Sequence, residues 1–302
     1  MSHKQNRKRF WLIPLALLAV TALLLGLAGA RLAKNPPTQV VAHRGANAHA
    51  PENTLPAFEK ALALGVYGVE CDILVTADGE VVLSHDSTID RCSNGTGRIG
   101  EMTLAQLREY DYGSWFGENF TGAQIPTLGE FLDTVQGAGL ILIELKTNDG
   151  DIAAKAVAAV KARGLLGKTI FQSFDMEAIK SCKQADAAAA IALLYTPGSE
   201  YDTAIRAHAA DFCRQHKLDA LHPQYAALSS GFVRKCAKIG VDVRAWTVND
   251  RLFLAGGSGQ GARGLITDQI ELAQKMLRLP AFVRRVLGAV CDIAYLISPY
   301  FG

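Results

Sequence analysis

Polar residues in the first half of this chain recur where apolar segments end. Four successive segments close on pairs of residues that can do chemistry, namely His43 and Arg44, Glu70 and Asp72, His85 and Asp86, and Glu144 and Lys146. Side chains alternate along a strand, so Glu70 and Asp72 face the same side of theirs. Glu144 and Lys146 share a face for the same reason. Four segments that end in this way indicate one shared site.

Three carboxylates in this set indicate a cation site. Glu70, Asp72 and Glu144 would repel each other and lose solvation inside one pocket unless a cation lay among them. Oxygen ligands in a pattern without cysteine select a hard ion. We therefore expect one divalent metal ion, Ca²⁺ or Mg²⁺, as the cofactor.

The elements that would position these residues alternate between apolar strands and helices. Strand-like segments lie at 39–43, 67–72, 80–85, 139–145, 168–173, 190–195, 219–222, 241–248 and 264–267. Helical segments lie between most of them, at 54–65, 127–137, 151–163, 175–184, 201–216 and 229–239. Repeated units of this kind predict an α/β fold, a closed (β/α)8 TIM barrel whose site lies where the strands end. Because a barrel needs eight strands, one of the nine lies outside it, and the short link 73–79 places that strand within 67–85.

One long connection interrupts this alternation after the third strand. Residues 87–126 are rich in Gly, Ser, Asn and Thr and hold one short helical stretch, 103–110. Long connections in compact domains usually serve function, and this one leaves the catalytic end of the predicted barrel. We expect an insertion that caps the mouth of the site.

The first 34 residues differ from the body of the chain. Residues 10–30 are an uncharged, Leu- and Ala-rich run of 21 residues that follows four Lys or Arg residues. As a helix this run spans about 30 Å, the thickness of a bilayer core. More positive charge precedes the run than follows it, so we expect a single-pass transmembrane helix in the cell membrane with the catalytic domain on the extracytoplasmic side. A cleaved signal peptide is the alternative, because Ala28, Gly29 and Ala30 form an A-x-A pattern.

Composition and charge divide the 302 residues into three parts and exclude several classes of protein. With 49% apolar and 20% charged residues the chain must bury a core, which excludes a disordered protein. Residues 1–34 carry +6 and residues 276–302 carry +2, which leaves −6 on the body, 35–275. An acidic body excludes a nucleic-acid groove. The six cysteines show no paired spacing, so we expect buried thiols.

The last part of the chain has the pattern of an amphipathic helix with a basic fringe. Apolar residues recur at three- and four-residue spacing, namely Phe282, Val283, Val286, Leu287, Val290, Ile293, Ala294 and Ile297. Arg284, Arg285 and Asp292 interrupt them. The helix either lies in a membrane interface or packs on the barrel wall or the transmembrane segment, and both interpretations stay open here.

Motifs between residues 39 and 270 carry a resemblance to a known family. In chain order they are His43-Arg44-Gly45, Pro51-Glu52-Asn53-Thr54, Glu70-Cys71-Asp72, Ser84-His85-Asp86, Asn94 to Gly97, Ile125 to Leu128, Glu144-Leu145-Lys146, Gln172-Ser173-Phe174, Trp246 to Asn249 and Leu265 to Asp268. They resemble the glycerophosphodiester phosphodiesterase family. The resemblance implies a barrel like that of phosphatidylinositol-specific phospholipase C. It also implies an enzyme that hydrolyses a glycerophosphodiester to an alcohol and glycerol 3-phosphate with one divalent metal ion.

The resemblance also implies roles for individual residues. Glu70, Asp72 and Glu144 look like the metal ligands, and His43 and His85 like the acid/base pair. A phosphodiester needs one proton removed from its nucleophile and one given to its leaving alkoxide, which two histidines can do. The remaining expectations are that Arg44 and Lys146 bind the phosphoryl oxygens, Trp246 forms a substrate wall, Glu52 orients Arg44, Asn53 is the N-cap of helix 54–65, and Asp86 is a turn residue.

Two other functions compete with hydrolysis of a small glycerophosphodiester. The same barrel could act as a lysophospholipase D or related phospholipid phosphodiesterase, with a lysophospholipid as substrate and the membrane as partner. A non-catalytic surface binding module is the second alternative, and it predicts the loss of at least one site residue. None of these residues is lost. Headgroup specificity and oligomeric state stay open.

Overall fold

The computed structural model describes residues 37–149 and 151–297. Within them the strands are β1 (Gln39–Ala42), β2 (Gly68–Val75), β3 (Val81–Leu83), β4 (Leu140–Leu145), β5 (Thr169–Ser173), β6 (Ala190–Tyr195), β7 (Ala220–Pro223), β8 (Asp242–Ala245) and β9 (Gly264–Thr267). The α-helices are α1 (Leu55–Ala63), α2 (Leu104–Leu107), α3 (Leu128–Thr134), α4 (Ile152–Ala162), α5 (Met176–Ala185), α6 (Asp202–His216), α7 (Ser230–Lys238), α8 (Arg251–Gln260), α9 (Ile270–Leu277) and α10 (Ala281–Ile297).

Eight of the strands close into a parallel barrel. The order around it is β1-β2-β4-β5-β6-β7-β8-β9, and β9 pairs with β1. The remaining strand, β3, pairs antiparallel with β2 and lies outside the barrel. The predicted TIM barrel and its extra strand are therefore confirmed.

The period-two pattern of the strands divides their side chains between two cores. Alternate residues such as Cys71 and Ile143 face outward and pack under the helices, in the main apolar core. A second, smaller core fills the barrel interior with Val41, Leu142, Ile170 and their neighbours. These inward residues sit beneath the polar ones at the carboxyl ends of the strands, so the barrel is a solid platform for the site.

The insertion after β3 has an apolar core of its own. Ile89, Ile99 and Ile125 pack with Leu74 and Val82 of the β2–β3 hairpin. The segment therefore rests on the hairpin that projects from the barrel, which fixes its position at one side of the carboxyl-terminal face.

The last helix packs on the barrel wall through glycines. A methyl group at Gly259 in α8 would overlap the backbone carbonyl of Arg284 in α10, and one at Gly288 would lie 2.9 Å from the backbone of Gly259. The absence of side chains at these positions lets the two helix backbones come into direct contact. The sequence pattern predicted no helix at 251–260. Each glycine in this segment disfavours a helix by about 1 kcal/mol.

Replacement of Gly259 by alanine should destabilise the protein. The overlap with Arg284 forces α10 away from α8, and overpacking of this kind costs about 1–3 kcal/mol. The matched control is Gly231→Ala in α7, where no atom lies within 4 Å of the added methyl group. Thermal unfolding should show a lower midpoint for Gly259→Ala alone. Equal midpoints for both variants would contradict the close packing of α8 and α10.

No helix among residues 37–149 and 151–297 is both long and apolar enough to cross a bilayer. The predicted transmembrane segment, 10–30, lies outside the described residues. The anchor therefore stays a prediction.

Candidate active site

Three buried carboxylates meet where the middle of β2 lies beside the carboxyl end of β4. Glu70, Asp72 and Glu144 each offer an oxygen atom, and these atoms lie within 4.8 Å of one another. The register of the sheet produces this grouping, because Asp72 pairs directly with Glu144 and Glu70 precedes Asp72 by one strand repeat. The structure thus brings together the three residues predicted as metal ligands.

The electrostatics of this triad fit a bound cation. Burial raises the pKa of Glu70 and of Glu144, and the charge of Asp72 raises both further. Burial also raises the pKa of Asp72, but the charges of Lys146 and Arg44 outweigh it and lower that pKa overall. Oδ1 of Asp72 is buried and accepts no hydrogen bond. These carboxylate oxygens repel each other, and one of them has no hydrogen-bond donor. They are therefore a set of ligands suited to a hard divalent ion.

The two predicted phosphate-binding residues lie beside the triad and already contact it. Nζ of Lys146 lies 2.6 Å from Oε1 of Glu144 and 3.4 Å from Oδ1 of Asp72. Nε of Arg44 lies 3.3 Å from Oδ2 of Asp72, and its Nη1 donates to Oε1 of Glu52 at 2.9 Å. Glu52 therefore holds the guanidinium at the edge of the carboxylate group.

The loop between β1 and α1 is shaped by residues with left-handed backbone conformation. Arg44 has φ 55° and donates its backbone N–H to Glu70, and Gly45 has φ 82°. A side chain at Gly45 would also meet the backbone of Ala57 at 2.8 Å, so only glycine fits there. The sharp turn directs His43 and Arg44 toward the same site.

Asn53 has a different role from the predicted one. Thr54 occupies the N-cap position of α1 and makes no side-chain capping bond, so the prediction that Asn53 caps this helix is wrong. With φ 55°, Asn53 turns its amide back toward β2. Its Nδ2 donates to Oδ2 of Asp72 at 2.8 Å, and its Oδ1 accepts from the backbone N–H of Asp72 at 3.2 Å. The amide thus orients one carboxylate of the triad.

His43 is held by a carboxylate at the end of β9. Its Nδ1 donates to Oδ1 of Asp268 at 2.7 Å, and Asn47 and Asn249 donate to the same carboxylate. Burial lowers the pKa of His43, but the bond to Asp268 and the charge of Glu70 outweigh it, so the pKa is raised overall. With Nδ1 occupied, Nε2 is the nitrogen that can exchange a proton with a substrate.

His85 has a similar partner, the carboxylate of the next residue in the chain. Its Nδ1 donates to Oδ1 of Asp86 at 2.7 Å, which makes Asp86 more than the turn residue that we expected. Burial lowers the pKa of His85, while the charge of Asp72 and the bond to Asp86 oppose this shift only in part. Two histidine–carboxylate pairs therefore flank the triad.

An arginine from the insertion joins the two sides of the site. Nε of Arg91 donates to Oδ2 of Asp86 at 2.7 Å, and its Nη1 and Nη2 each donate to Glu52 at 2.8 Å. Hydrogen bonds from Arg91 and His85, opposed by burial, lower the pKa of Asp86 to about 2. The partners of His85 and of Arg44 thus share one guanidinium.

These residues surround an open cavity of about 170 Å³ at the carboxyl-terminal end of the barrel. The side chains that line it include both histidines, Arg44, Glu70, Glu144, Lys146, Gln172, Phe174 and Trp246. The rings of Phe174 and Trp246 meet edge to face, 5.3 Å apart, and form an apolar wall opposite the charged residues. None of the lining residues belongs to 87–126, so the insertion contributes no side chain to the wall of this cavity.

Sequence reasoning assigned no role to several residues that orient the predicted ones. Asp268 and Asn249 are the last residues of the motifs that follow β9 and β8. Their position at the carboxyl ends of two strands was the signal that could have placed them at the site. Gln172 is buried within β5 and donates to Oε1 of Glu70 at 3.2 Å. An amide that follows the apolar pair Ile170 and Phe171 in a fully buried strand was the signal for it. Arg91 lies in the insertion and carried no signal of its own.

The carboxylate partner of each histidine should set where that histidine titrates. Asp268→Asn removes a group that raises the pKa of His43, so His43 should titrate at lower pH, and Asp86→Asn should likewise lower the pKa of His85. NMR titration of the imidazole carbons measures both shifts. Asp211→Asn, which removes an exposed carboxylate paired with Arg214, is the matched control and should move neither titration. A His43 titration that does not move in Asp268→Asn would contradict the pairing.

Comparison with known proteins supports one chemistry. Residues 43–272 match the model of the Glycerophosphoryl diester phosphodiesterase family. A glycerophosphodiester phosphodiesterase from Caldanaerobacter subterraneus subsp. tengcongensis is 33% identical over 248 residues, which cover 80% of this chain and 98% of the relative. The human glycerophosphodiester phosphodiesterase 1 is 32% identical over 240 residues, 69% of this chain and 71% of the relative.

Solved structures show the same likeness in three dimensions. A glycerophosphoryl diester phosphodiesterase structure from Silicibacter pomeroyi superposes with a TM-score of 0.71 at 28% identity, over 80% of this chain and 93% of that one. An Oleispira antarctica phosphodiesterase, solved in complex with the product sn-glycerol-3-phosphate, gives a TM-score of 0.69 at 27% identity, over 82% and 98% of the two chains.

Proposed function

Because this chain belongs to the glycerophosphoryl diester phosphodiesterase family and is a glycerophosphodiester phosphodiesterase, we propose that it hydrolyses its substrate with one divalent cation and a histidine acid/base pair. The cation would be Ca²⁺ or Mg²⁺, held by Glu70, Asp72 and Glu144. The observation that supports this proposal best is that three mutually repelling carboxylates and two carboxylate-held histidines meet at one small cavity.

The reaction replaces one ester bond of the phosphodiester by a bond to hydroxide. Water adds its oxygen to phosphorus and gives up one proton, while the leaving alkoxide takes one proton and departs as an alcohol. His43 and His85 would carry these two protons through Nε2, since Nδ1 of each ring is held by an aspartate. The products are the alcohol and glycerol 3-phosphate.

Positive charge in the site would stabilise the phosphoryl group as its own charge grows. Arg44, held by Glu52, and Lys146 line the same cavity as the two histidines. A bound cation would add Lewis-acid polarisation of a phosphoryl oxygen. Trp246 and Phe174 would contact the less polar part of the substrate.

The apolar wall also favours a second candidate, hydrolysis of lysophospholipids by the lysophospholipase D reaction. Phe174 is 44% exposed at the mouth, where an acyl chain could pass. A release assay on glycerophosphocholine, glycerophosphoethanolamine, glycerophosphoglycerol and matching lysophospholipids, with and without chelator, separates the two candidates. Hydrolysis of small glycerophosphodiesters predicts glycerol 3-phosphate from the deacylated substrates. Lysophosphatidic acid as the main product would instead favour the lysophospholipase D reaction. Absence of both products would contradict both candidates.

We further propose that residues 10–30 anchor the enzyme in the cell membrane, with the barrel on the extracytoplasmic side. The length and lack of charge of this run support the anchor, and the four basic residues before it support the orientation. Resistance of the full chain to alkaline extraction from membranes, with the barrel open to protease from the extracytoplasmic side, is the expected result. Release of the barrel by alkali would contradict the anchor.

A further inference from the structure

The last helix exposes an apolar stripe along its outer face. Phe282, Val286, Val290 and Ile293 of α10 are 51%, 53%, 43% and 56% exposed. Their spacing of four, four and three residues places them on one face of a helix. They are half of the large apolar side chains that lie exposed in residues 37–149 and 151–293. A continuous exposed patch of this kind marks an interaction surface.

The opposite face of α10 is already occupied, so the helix cannot rotate to bury the stripe. It packs against α8 through Gly259 and Gly288, as described above. Asp292 also turns inward, where its Oδ1 accepts from the backbone N–H of Ser230 at 2.8 Å and from Nε2 of Gln260 at 2.9 Å. These contacts fix the apolar stripe toward the outside.

The helix next to α10 is basic. The neighbouring helix α7, which Asp292 joins to α10, exposes Arg234, Lys235 and Lys238 and contains no acidic residue. Arg285 lies at the edge of the stripe, on a helix whose one acidic residue, Asp292, is engaged inward. An apolar face with basic neighbours fits the boundary between headgroups and acyl chains in an anionic bilayer.

The chain that precedes the described residues joins the barrel next to this helix. Oγ1 of Thr38 donates to the carbonyl of Ala262 at 2.9 Å and lies 3.1 Å from Oγ of Ser258. Ser258 in turn contacts the guanidinium of Arg284, near the start of α10. Six residues, 31–36, separate the apolar run 10–30 from Pro37, and six residues can span at most about 20 Å.

We propose that the apolar stripe of α10 docks on the surface of an anionic phospholipid bilayer, beside the proposed anchor on which this inference rests. α10 runs along α8 from Arg284 to Cys291, whose Sγ lies 3.9 Å from the carbonyl of Leu252 at the mouth end of α8. Docking along this length lays the barrel on its side. The rim of the active-site cavity then stands at the level of the lipid headgroups, where lipid-derived substrate is released.

The test places a genetically encoded, environment-sensitive fluorescent amino acid at Val286 in the full chain. Ala158 on α4 is the matched control position, since α4 follows β4 and lies across the barrel from α8 and its strand β8. In vesicles of phosphatidylcholine and phosphatidylglycerol, the probe at 286 should shift to the blue and lose most of its emission with brominated acyl chains. The probe at 158 should do neither.

The other outcomes each overturn the docking. If the chain floats with the vesicles but the probe at 286 stays solvent-exposed, the anchor is supported and the docking of the stripe is wrong. A blue-shifted probe that brominated lipid does not quench means that protein covers the stripe, either a second copy or residues 10–30. No flotation overturns both the anchor and the docking, and hydrolysis measured on the same sample in detergent tests the catalytic proposal separately.

A charge variant of the stripe provides the second measurement. Val290→Glu adds a negative charge beside the probe on an exposed position, so folding should survive while quenching at 286 is lost. Ala158→Glu, with the probe again at 286, should leave quenching intact. Quenching that persists in Val290→Glu would mean that the stripe makes no lipid contact.

Discussion

Excess EDTA will lower the rate of glycerophosphodiester hydrolysis by about 10³-fold or more, and Ca²⁺ or Mg²⁺ will restore it. Stabilisation of transition-state charge by a bound metal ion is worth several kcal/mol, and each factor of ten in rate corresponds to about 1.4 kcal/mol. Without the ion the site loses this positive charge, and burial together with the charge of Asp72 raises the pKa of Glu70 and Glu144.

The ligand assignment has its own measurement. Asp72→Asn should weaken binding of the restoring ion, measured by calorimetry, and lower turnover by a similar factor, because Oδ1 of Asp72 is the buried oxygen without a donor. Asp211→Asn, which removes an exposed carboxylate from a surface ion pair with Arg214, is the matched control and should leave both unchanged. Full activity in EDTA, or unaltered metal affinity in Asp72→Asn, would show that the triad is not the metal site.

Alanine in place of either histidine should lower turnover by about 10²–10⁴-fold, the usual contribution of a positioned acid or base. Folding should survive, since both side chains lie at the cavity rather than in the apolar core. His49→Ala is the matched control, because His49 pairs with Glu271 and is absent from the cavity lining. Near-native turnover of His43→Ala or His85→Ala would remove that residue from the proposed pair.

The leaving group of the substrate assigns the two roles. An aryl phosphodiester departs without needing a proton, so it should partly rescue the variant that lacks the acid and leave the variant that lacks the base impaired. Rescue of both variants to the same degree would contradict the division of roles. The two rings share one contact, since each has its Nδ1 bound to an aspartate.

Much of the barrel could be predicted because its strands follow simple rules. The apolar runs that became β4, β5 and β6 are buried on both faces, which leaves few other structures for such a pattern. Period two placed Glu70 and Asp72 on one face, and the parallel register of β2 and β4 brought Glu144 beside them. Local pattern and global topology agree in this part of the chain.

The remaining parts depend on contacts that no local pattern encodes. Asn53 has the composition of a helix cap, yet its left-handed backbone turns it toward Asp72. The helix at Arg251–Gln260 has poor intrinsic propensity and forms because its glycines admit the backbone of α10. Asp268 lies 225 residues from His43 along the chain, so only the closure of the barrel makes them partners.

Because Arg91 lies in the insertion, the stability of the insertion should help to set the temperature up to which the enzyme is active. Its core is small, and it stands on the β2–β3 hairpin outside the barrel, so this module can open at lower free energy than the barrel itself. Opening it withdraws Arg91 from Asp86 and Glu52 at once, so the carboxylates that hold His85 and Arg44 lose their shared partner. On heating, the enzyme would then lose its hydrolytic activity while most of its helices are still folded. On cooling, the activity would return without refolding of the barrel.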